Sequence, residues 1–169
     1  MKRTMRKVVL LTIAVAALVV AQPAAASAQL PIIDLGTLGG TFSDARAINE
    51  RGQVVGESTT ASGEVHAFLW QDGTMSDLGT LGGDRSEAAG INEHGQVVGS
   101  SQTASGEEHA FLWQDGTMSD LGTLSGDQSE ANGINNRGQV VGGSTTATGD
   151  FHAVLWMKCC LHSPSRSDG

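Results

Sequence analysis

Tyrosine is absent from this sequence of 169 residues, and proline and cysteine are rare, with three and two residues respectively. The two cysteines, Cys159 and Cys160, are adjacent, and neighbouring cysteines rarely satisfy the geometry of a disulfide with each other. They cannot cross-link the fold, and a disulfide between two molecules is the alternative in an oxidising compartment. With 23 glycines, the composition favours many short strands and tight turns over long helices.

Basic residues are also few, with ten Lys and Arg against eighteen Asp and Glu. Residues 1–28 contain four of the basic residues and none of the acidic ones, so the rest of the chain carries a formal charge of −12. Nucleic-acid binding needs clustered basic residues that release counterions from the phosphates. The scattered basic residues of this chain exclude DNA and RNA as partners.

The N-terminal segment has the pattern of a signal peptide. Four basic residues lie within 1–7, and an uncharged apolar run follows at 8–21. As a helix this run spans roughly 21 Å, less than the roughly 30 Å of a membrane's hydrocarbon core. The small residues of 24–28 then fit a cleavage site. We predict a signal helix at 1–28, cleavage after Ala28 and a secreted chain, extracellular or periplasmic, without stable membrane insertion; an uncleaved anchor is the alternative.

Most of the remaining chain consists of three copies of a 43-residue unit. Residues 34–76 and 77–119 are identical at 34 of 43 positions, and 120–156 match the second copy at 26 of 37 positions before the pattern stops. We therefore divide the chain into a signal peptide at 1–28, repeats at 29–156 and a non-repeat tail at 157–169, which we expect to be disordered. The abrupt change at 157 suggests a truncated or frame-shifted piece of a longer repeat protein, with an unusual but true tail as the alternative.

Turn residues divide each copy into four extended pieces. In the second copy these pieces are 86–92, 96–100, 109–113 and 117–121. The Asp-Gly pair at 115–116 tolerates the positive φ of a tight hairpin turn, whereas 102–108 reads as a polar link. Glycine recurs every few residues and would cost a helix about 1 kcal/mol at each position. The pattern therefore predicts an all-β chain.

Four strands in roughly 40 to 45 residues is the size of one β-propeller blade. We predict a repeat protein of propeller-like four-stranded blades, with a solenoid of shorter coils as the alternative. Residues 31–36 correspond to a fourth strand, and the pattern stops after a third strand at Trp156, so the N-terminal strand could complete the last blade. Since ordinary propellers have at least about four blades, three should form an incomplete ring.

Three longer patterns recur along the repeats. They are His-Ala-Phe-Leu-Trp at 66–70 and 109–113, Ile-Asn-x-x-Gly-Gln-Val-Val-Gly, and Asp-Leu-Gly-Thr-Leu-Gly-Gly. In these patterns the chain resembles the bacterial extracellular repeat proteins of the HAF family, over residues 34–156. The third copy departs from them at Val154 and Ser125. The resemblance implies export and repeats, and it implies no activity, ligand or catalytic residue.

One histidine recurs in each copy, as His66, His109 and His152. A metal site needs three or four donors that converge on one point, and equivalent positions of successive blades lie too far apart unless they line the axis. We predict structural histidines bonded to neighbouring backbone. Trp70, Trp113 and Trp156 would stack on sugar rings if exposed, but their alternation with His and Phe predicts core packing.

Acidic residues near glycine-rich turns raise the possibility of calcium. They are Asp34, Asp77, Asp84, Glu87, Asp120, Asp127 and Glu130. Calcium takes six to eight oxygens, typically from a spaced acidic loop, and no such loop pattern occurs here. We predict that these residues cap turns and keep the chain soluble.

Catalysis needs one asymmetric set of residues rather than three equal ones. The residues that differ between copies include Phe42, Arg46, His94 and Asn132, and they suggest no Ser/His/Asp set or isolated carboxylate pair. We predict no catalytic, cofactor-binding or metal residue, and a binding scaffold that contacts a protein or glycan through its loops. The alternatives are a fragment of an extracellular enzyme acting on a polymer and a non-functional remnant; unpaired blade edges allow self-association.

Overall fold

The structure, a computed structural model, describes residues 30–157. The predicted signal helix and cleavage site, together with Cys159, Cys160 and the tail after Met157, lie outside these residues. The described part of the chain contains eleven β-strands and no helix, which confirms the all-β prediction. Within it, no helix is long and apolar enough to span a membrane.

Each repeat folds as an antiparallel meander. The first meander comprises β1 (Gly39–Ile48), β2 (Val54–Thr60), β3 (Val65–Gln71) and β4 (Thr74–Asp77). The second comprises β5 (Gly82–Ile91), β6 (Val97–Thr103), β7 (Glu108–Gln114) and β8 (Thr117–Asp120). The third comprises β9 (Ser125–Ile134), β10 (Val140–Thr146) and β11 (Phe151–Trp156). Neighbouring strands within each meander pair in sequence order.

The turns follow the local sequence. Asp115 and Gly116 have φ values of 51° and 84° between β7 and β8, as predicted for the Asp-Gly pair. The segment at 102–108, which we predicted to be a polar link, instead forms a third hairpin in which Gln102 lies opposite Glu108. The N–H of Gly106 closes this turn by donating to the carbonyl of Thr103 at 3.0 Å. Polar composition alone did not distinguish a hairpin turn from a loop.

The glycine that ends Gln-Val-Val-Gly is required by an irregularity in the pairing. The register between β5 and β6 shifts between Ala88 and Gly90, which brings the carbonyl of Glu87 over the neighbouring strand at Gly99. A Cβ atom at Gly99 would lie 1.9 Å from that oxygen, and Gly56 and Gly142 are obstructed in the same way.

We expect Gly99→Ala to lower the free energy of unfolding by about 2 kcal/mol, because the backbone must shift to admit the methyl group. Urea unfolding followed by circular dichroism would measure the loss. Gly133→Ala is the control, since its nearest new neighbour would be Val141 Cγ2 at 3.7 Å. Equal midpoints for the two variants would contradict this account of the irregularity.

The Asp-Leu-Gly-Thr-Leu-Gly-Gly pattern is the connector between meanders. Between the first two meanders, the N–H of Leu78 donates to the carbonyl of Ala67 at 3.0 Å. The hydroxyl of Ser86 donates to the carbonyl of Gly79 at 2.6 Å and accepts a hydrogen bond from the N–H of Ala67 at 2.8 Å. One parallel pair, Val65 with Arg85, also links β3 to β5. The connector therefore binds the end of one meander to the start of the next.

The hydrophobic core lies between successive meanders. Adjacent residues of one strand face opposite neighbours, since side chains alternate along a strand. Val97 belongs to a cluster with Val55 of the first meander, whereas Val98 belongs to a cluster with Val140 of the third. The second meander is thus covered on both faces.

Within the described residues, the last meander has three strands. Within residues 30–157, β11 pairs only with β10, and 30–37 form no strand. The prediction of a fourth-type strand at 31–36 is therefore wrong for the described residues.

Candidate functional site

Two of the three repeated histidines pair with carboxylates. Nδ1 of His66 lies 2.8 Å from Oδ2 of Asp77, and Nδ1 of His109 lies 2.7 Å from Oδ2 of Asp120. These partners correct the prediction of bonding to neighbouring backbone. Each pair joins the third strand of a meander to the end of the fourth, and the sequence does not reveal this contact until the strand register is known.

The acidic residues singled out in the sequence do not converge. Asp34, Asp77 and Asp120 each accept a hydrogen bond from the N–H of the glycine two residues later, which is the predicted turn capping. Asp84 and Glu87 lie on β5, whereas Asp127 and Glu130 lie on β9. Residues 30–157 contain no group of three or more His, Cys, Asp or Glu placed to hold a metal ion.

A charged network fills the first junction, which we define as the contact between the first and second meanders. Glu57 is 6% exposed and accepts hydrogen bonds at 3.0 Å from Arg46 and from Arg85 of the next meander. Asp44 and Glu87 form the outer ion pairs, with Arg46 and Arg85 respectively. The hydrogen bond to Glu57 and the charge of Asp44 raise the pKa of Arg46 above its ordinary value. A buried carboxylate is thereby shared between two meanders.

The second junction, between the second and third meanders, lacks this network. Ala89, Ser100 and Gln128 occupy the repeat positions of Arg46, Glu57 and Arg85. These shorter or neutral side chains leave a polar cleft of about 270 Å³. Its lining consists of Arg85, Ser100, Ser101, Gln102, Gly106, Glu107, Glu108, Asp127 and Gln128. The cleft is our candidate functional site.

The charge inside the cleft is mainly negative. Ser100 donates to Glu108 at 2.6 Å, Ser105 donates to Glu107 at 2.9 Å, and Thr145 donates to Asp127 at 3.3 Å. Within the described part of the chain, no salt bridge involves these three carboxylates.

The one cation of the lining, Arg85, is already engaged by Glu57 and Glu87. The cleft therefore offers three carboxylates whose partners are hydroxyl groups. Such a site attracts a cationic group.

Two of the three tryptophans pack at the junctions between meanders. All three are half-buried, and Trp113 and Trp156 contact the two core clusters. The predicted core packing is thus confirmed for Trp113 and Trp156, whereas Trp70 belongs to neither described cluster. Phe68 and Phe111 are the largest fully buried side chains.

Of the four differing residues that the sequence singled out, Arg46 belongs to the charged network of the first junction. Phe42 is 50% exposed, the N–H of His94 donates to Asn92 within a turn, and Asn132 donates to Glu130 at 3.3 Å.

Sequence reasoning missed the cleft because it searched for repeated residues or recognised catalytic sets. The sequence signal that could have found it is a pair of replacements between copies. Ser100 stands at the repeat position of Glu57, and Gln128 stands at that of Arg85, so the charged pair is lost. Comparison with known proteins gave no matching family model, curated protein or solved structure.

Proposed function

We propose that this chain is a secreted repeat protein of the HAF type, in which the meanders act as blades of an incomplete propeller and form a non-catalytic binding scaffold. The blade arrangement is supported by the covered faces of the second meander and by the close approach of first strands, where a Cβ at Gly90 would lie 3.3 Å from Gly133 Cα. The N-terminal sequence supports export.

The polar cleft at the second junction is the observation that carries the binding proposal. Its ligand is a lysine or arginine side chain of a protein partner, because ammonium and guanidinium groups form charge-assisted hydrogen bonds with carboxylates. A protein partner is favoured over a glycan because Trp156, the tryptophan at this junction, packs against the core.

The test is a titration with N-acetyl-L-argininamide followed by NMR. We expect shifts of backbone amides concentrated at 100–108 and 127–128. Glu107→Gln/Glu108→Gln should weaken binding about fivefold, the effect of roughly 1 kcal/mol for partly exposed ion pairs. Glu50→Gln/Glu64→Gln removes the same charge from exposed positions in the first meander and should leave binding unchanged.

A second variant closes the cleft by rebuilding the first junction at the second. Ala89→Arg/Ser100→Glu/Gln128→Arg introduces the side chains of Arg46, Glu57 and Arg85, and we expect it to abolish the localised shifts. Shifts spread over all acidic surfaces, or equal binding by the two double glutamine variants, would show general charge attraction and overturn the proposal.

A further inference from the structure

Among the described residues, the third meander ends with an open strand edge at β11 and a histidine that has no carboxylate partner. In the first two meanders, β4 and β8 pair with β3 and β7 and bring an aspartate to each repeated histidine. The side chains of His66 and His109 are accordingly only 15% and 16% exposed. His152 holds the same repeat position on β11 but is exposed. No carboxylate among residues 30–157 bonds to it.

The matching aspartate is present at the other end of the repeats. Asp34 occupies the repeat position of Asp77 and Asp120, and its carboxylate caps Gly36 as theirs cap the equivalent glycines. Within the described part of the chain, no histidine pairs with Asp34. One chain therefore carries the two halves of a third His–Asp pair without joining them.

The outer face of the third meander exposes apolar side chains that are covered in the other two meanders. Val141 and Leu155 are 50% and 51% exposed. Their counterparts Val55 and Val98 are fully buried, and Leu69 and Leu112 pack against the core clusters.

The opposite end of the repeats presents the complementary face. Ile48 of the first meander is 67% exposed, whereas the equivalent Ile91 and Ile134 pack into the two junctions. The first and third meanders of the described part thus each present one half of an interface that the molecule already forms twice internally.

We infer that the open end of the third meander binds the N-terminal end of a second copy of this chain. Residues 31–36 of that copy form the missing fourth strand on β11, and its Asp34 pairs with His152. Its first meander covers the face containing Val141 and Leu155. The inference rests on the blade arrangement proposed above.

The occupant is a second copy because this sequence contains both partners of the contact, Asp34 and His152, and the two do not pair with each other in the described part of the chain. The internal register Phe68 opposite Asp77 and Leu69 opposite Ser76 places Val154 opposite Asp34 and Leu155 opposite Ile33. If each of two chains provides one such contact at either end, the pair contains six meanders. Six lies within the usual range of about four to eight blades for a closed propeller, and closure removes both open edges.

Disulfide trapping tests this arrangement directly. In the full chain with Cys159 and Cys160 changed to Ser, Ile33→Cys and Leu155→Cys are made as separate variants. Mixing and mild oxidation should yield a covalent dimer on a non-reducing gel, because directly opposed residues satisfy disulfide geometry. Leu155 is half exposed, so its replacement should leave the fold intact. Light scattering of the unmodified chain should give the mass of two copies.

The matched control mixes Ile33→Cys with Leu112→Cys, whose strand edge is already occupied by β8; it should give no covalent dimer. A monomer by light scattering together with no trapping in the mixture would overturn the inference. Equal trapping by each single variant alone would show random oxidation and would overturn it too. Failure of cationic binding at the second junction would leave these outcomes unchanged, because that cleft lies between the second and third meanders.

Discussion

Replacing Phe111 with alanine is expected to lower the free energy of unfolding by about 3–5 kcal/mol. Phe111 has no exposed surface and lies in the cluster that joins the first two meanders. Truncation leaves a cavity that flanking strands cannot fill, since their register is fixed by hydrogen bonds on both sides of β7. The loss is a large share of the roughly 5–15 kcal/mol that stabilises an ordinary domain. Urea unfolding monitored by tryptophan fluorescence would measure it.

Phe151→Ala supplies the control for this prediction. Phe151 is 55% exposed on β11, so we expect a change within about 0.5 kcal/mol, as for other surface substitutions. A similar small change for Phe111→Ala would mean that the core between the first two meanders is not tightly packed.

Replacing Asn92 with alanine should cost about 3–4 kcal/mol. Its Oδ1 accepts hydrogen bonds from the N–H groups of His94 and Gln96, and its Nδ2 donates to Gln96 Oε1 and to the carbonyl of Asn135 in the next meander. Asn92 is 3% exposed. Each buried group left without a partner costs about 1–3 kcal/mol, so the loss exceeds that of one ordinary hydrogen bond. Chemical denaturation provides the measurement.

Asn135→Ala is the control that separates the contribution of the turn hydrogen bonds from that of the hydrogen bond between meanders. The side chain of Asn135 makes the same bonds within its turn, but Asn135 is exposed. It belongs to the third meander, and the structure describes no later meander to which it could donate a hydrogen bond. We expect a loss of about 1 kcal/mol. Equal losses for Asn92→Ala and Asn135→Ala would contradict a role for the side chain in joining meanders.

Much of the fold follows from local sequence signals. Repetition defined the units, β-branched residues and Asp-Gly pairs located strands and a turn, and frequent glycine excluded helices. These signals act over a few residues and recur in every copy, so agreement among copies strengthens them. They did not show why the glycine at position 99 is necessary, because its obstruction by the Glu87 carbonyl depends on an irregular register.

The candidate site was less accessible from the sequence because it depends on which meander faces contact each other. The pairing of His66 with Asp77 spans 11 residues, and the contact of Glu57 with Arg85 spans 28. Neither distance belongs to a local pattern. Once the contacting faces are known, the cleft can be located at Ser100 and Gln128, because these residues replace the charged pair of Glu57 and Arg85.

Glu57 also bears on how near-identical meanders find the correct neighbour during folding. A first meander stacked against the third would place Glu57 opposite Gln128 instead of Arg85, and a buried carboxylate would lose one of its two cations. Because the Arg85 side chain is 53% exposed, solvent screens this ion pair, and its loss is expected to cost about 1 kcal/mol. Equivalent apolar positions recur at both junctions, such as Ile91 and Ile134 or Trp113 and Trp156, so these contacts discriminate less between the two arrangements. The shared carboxylate is therefore expected to disfavour the swapped arrangements to which sequence repeats are prone.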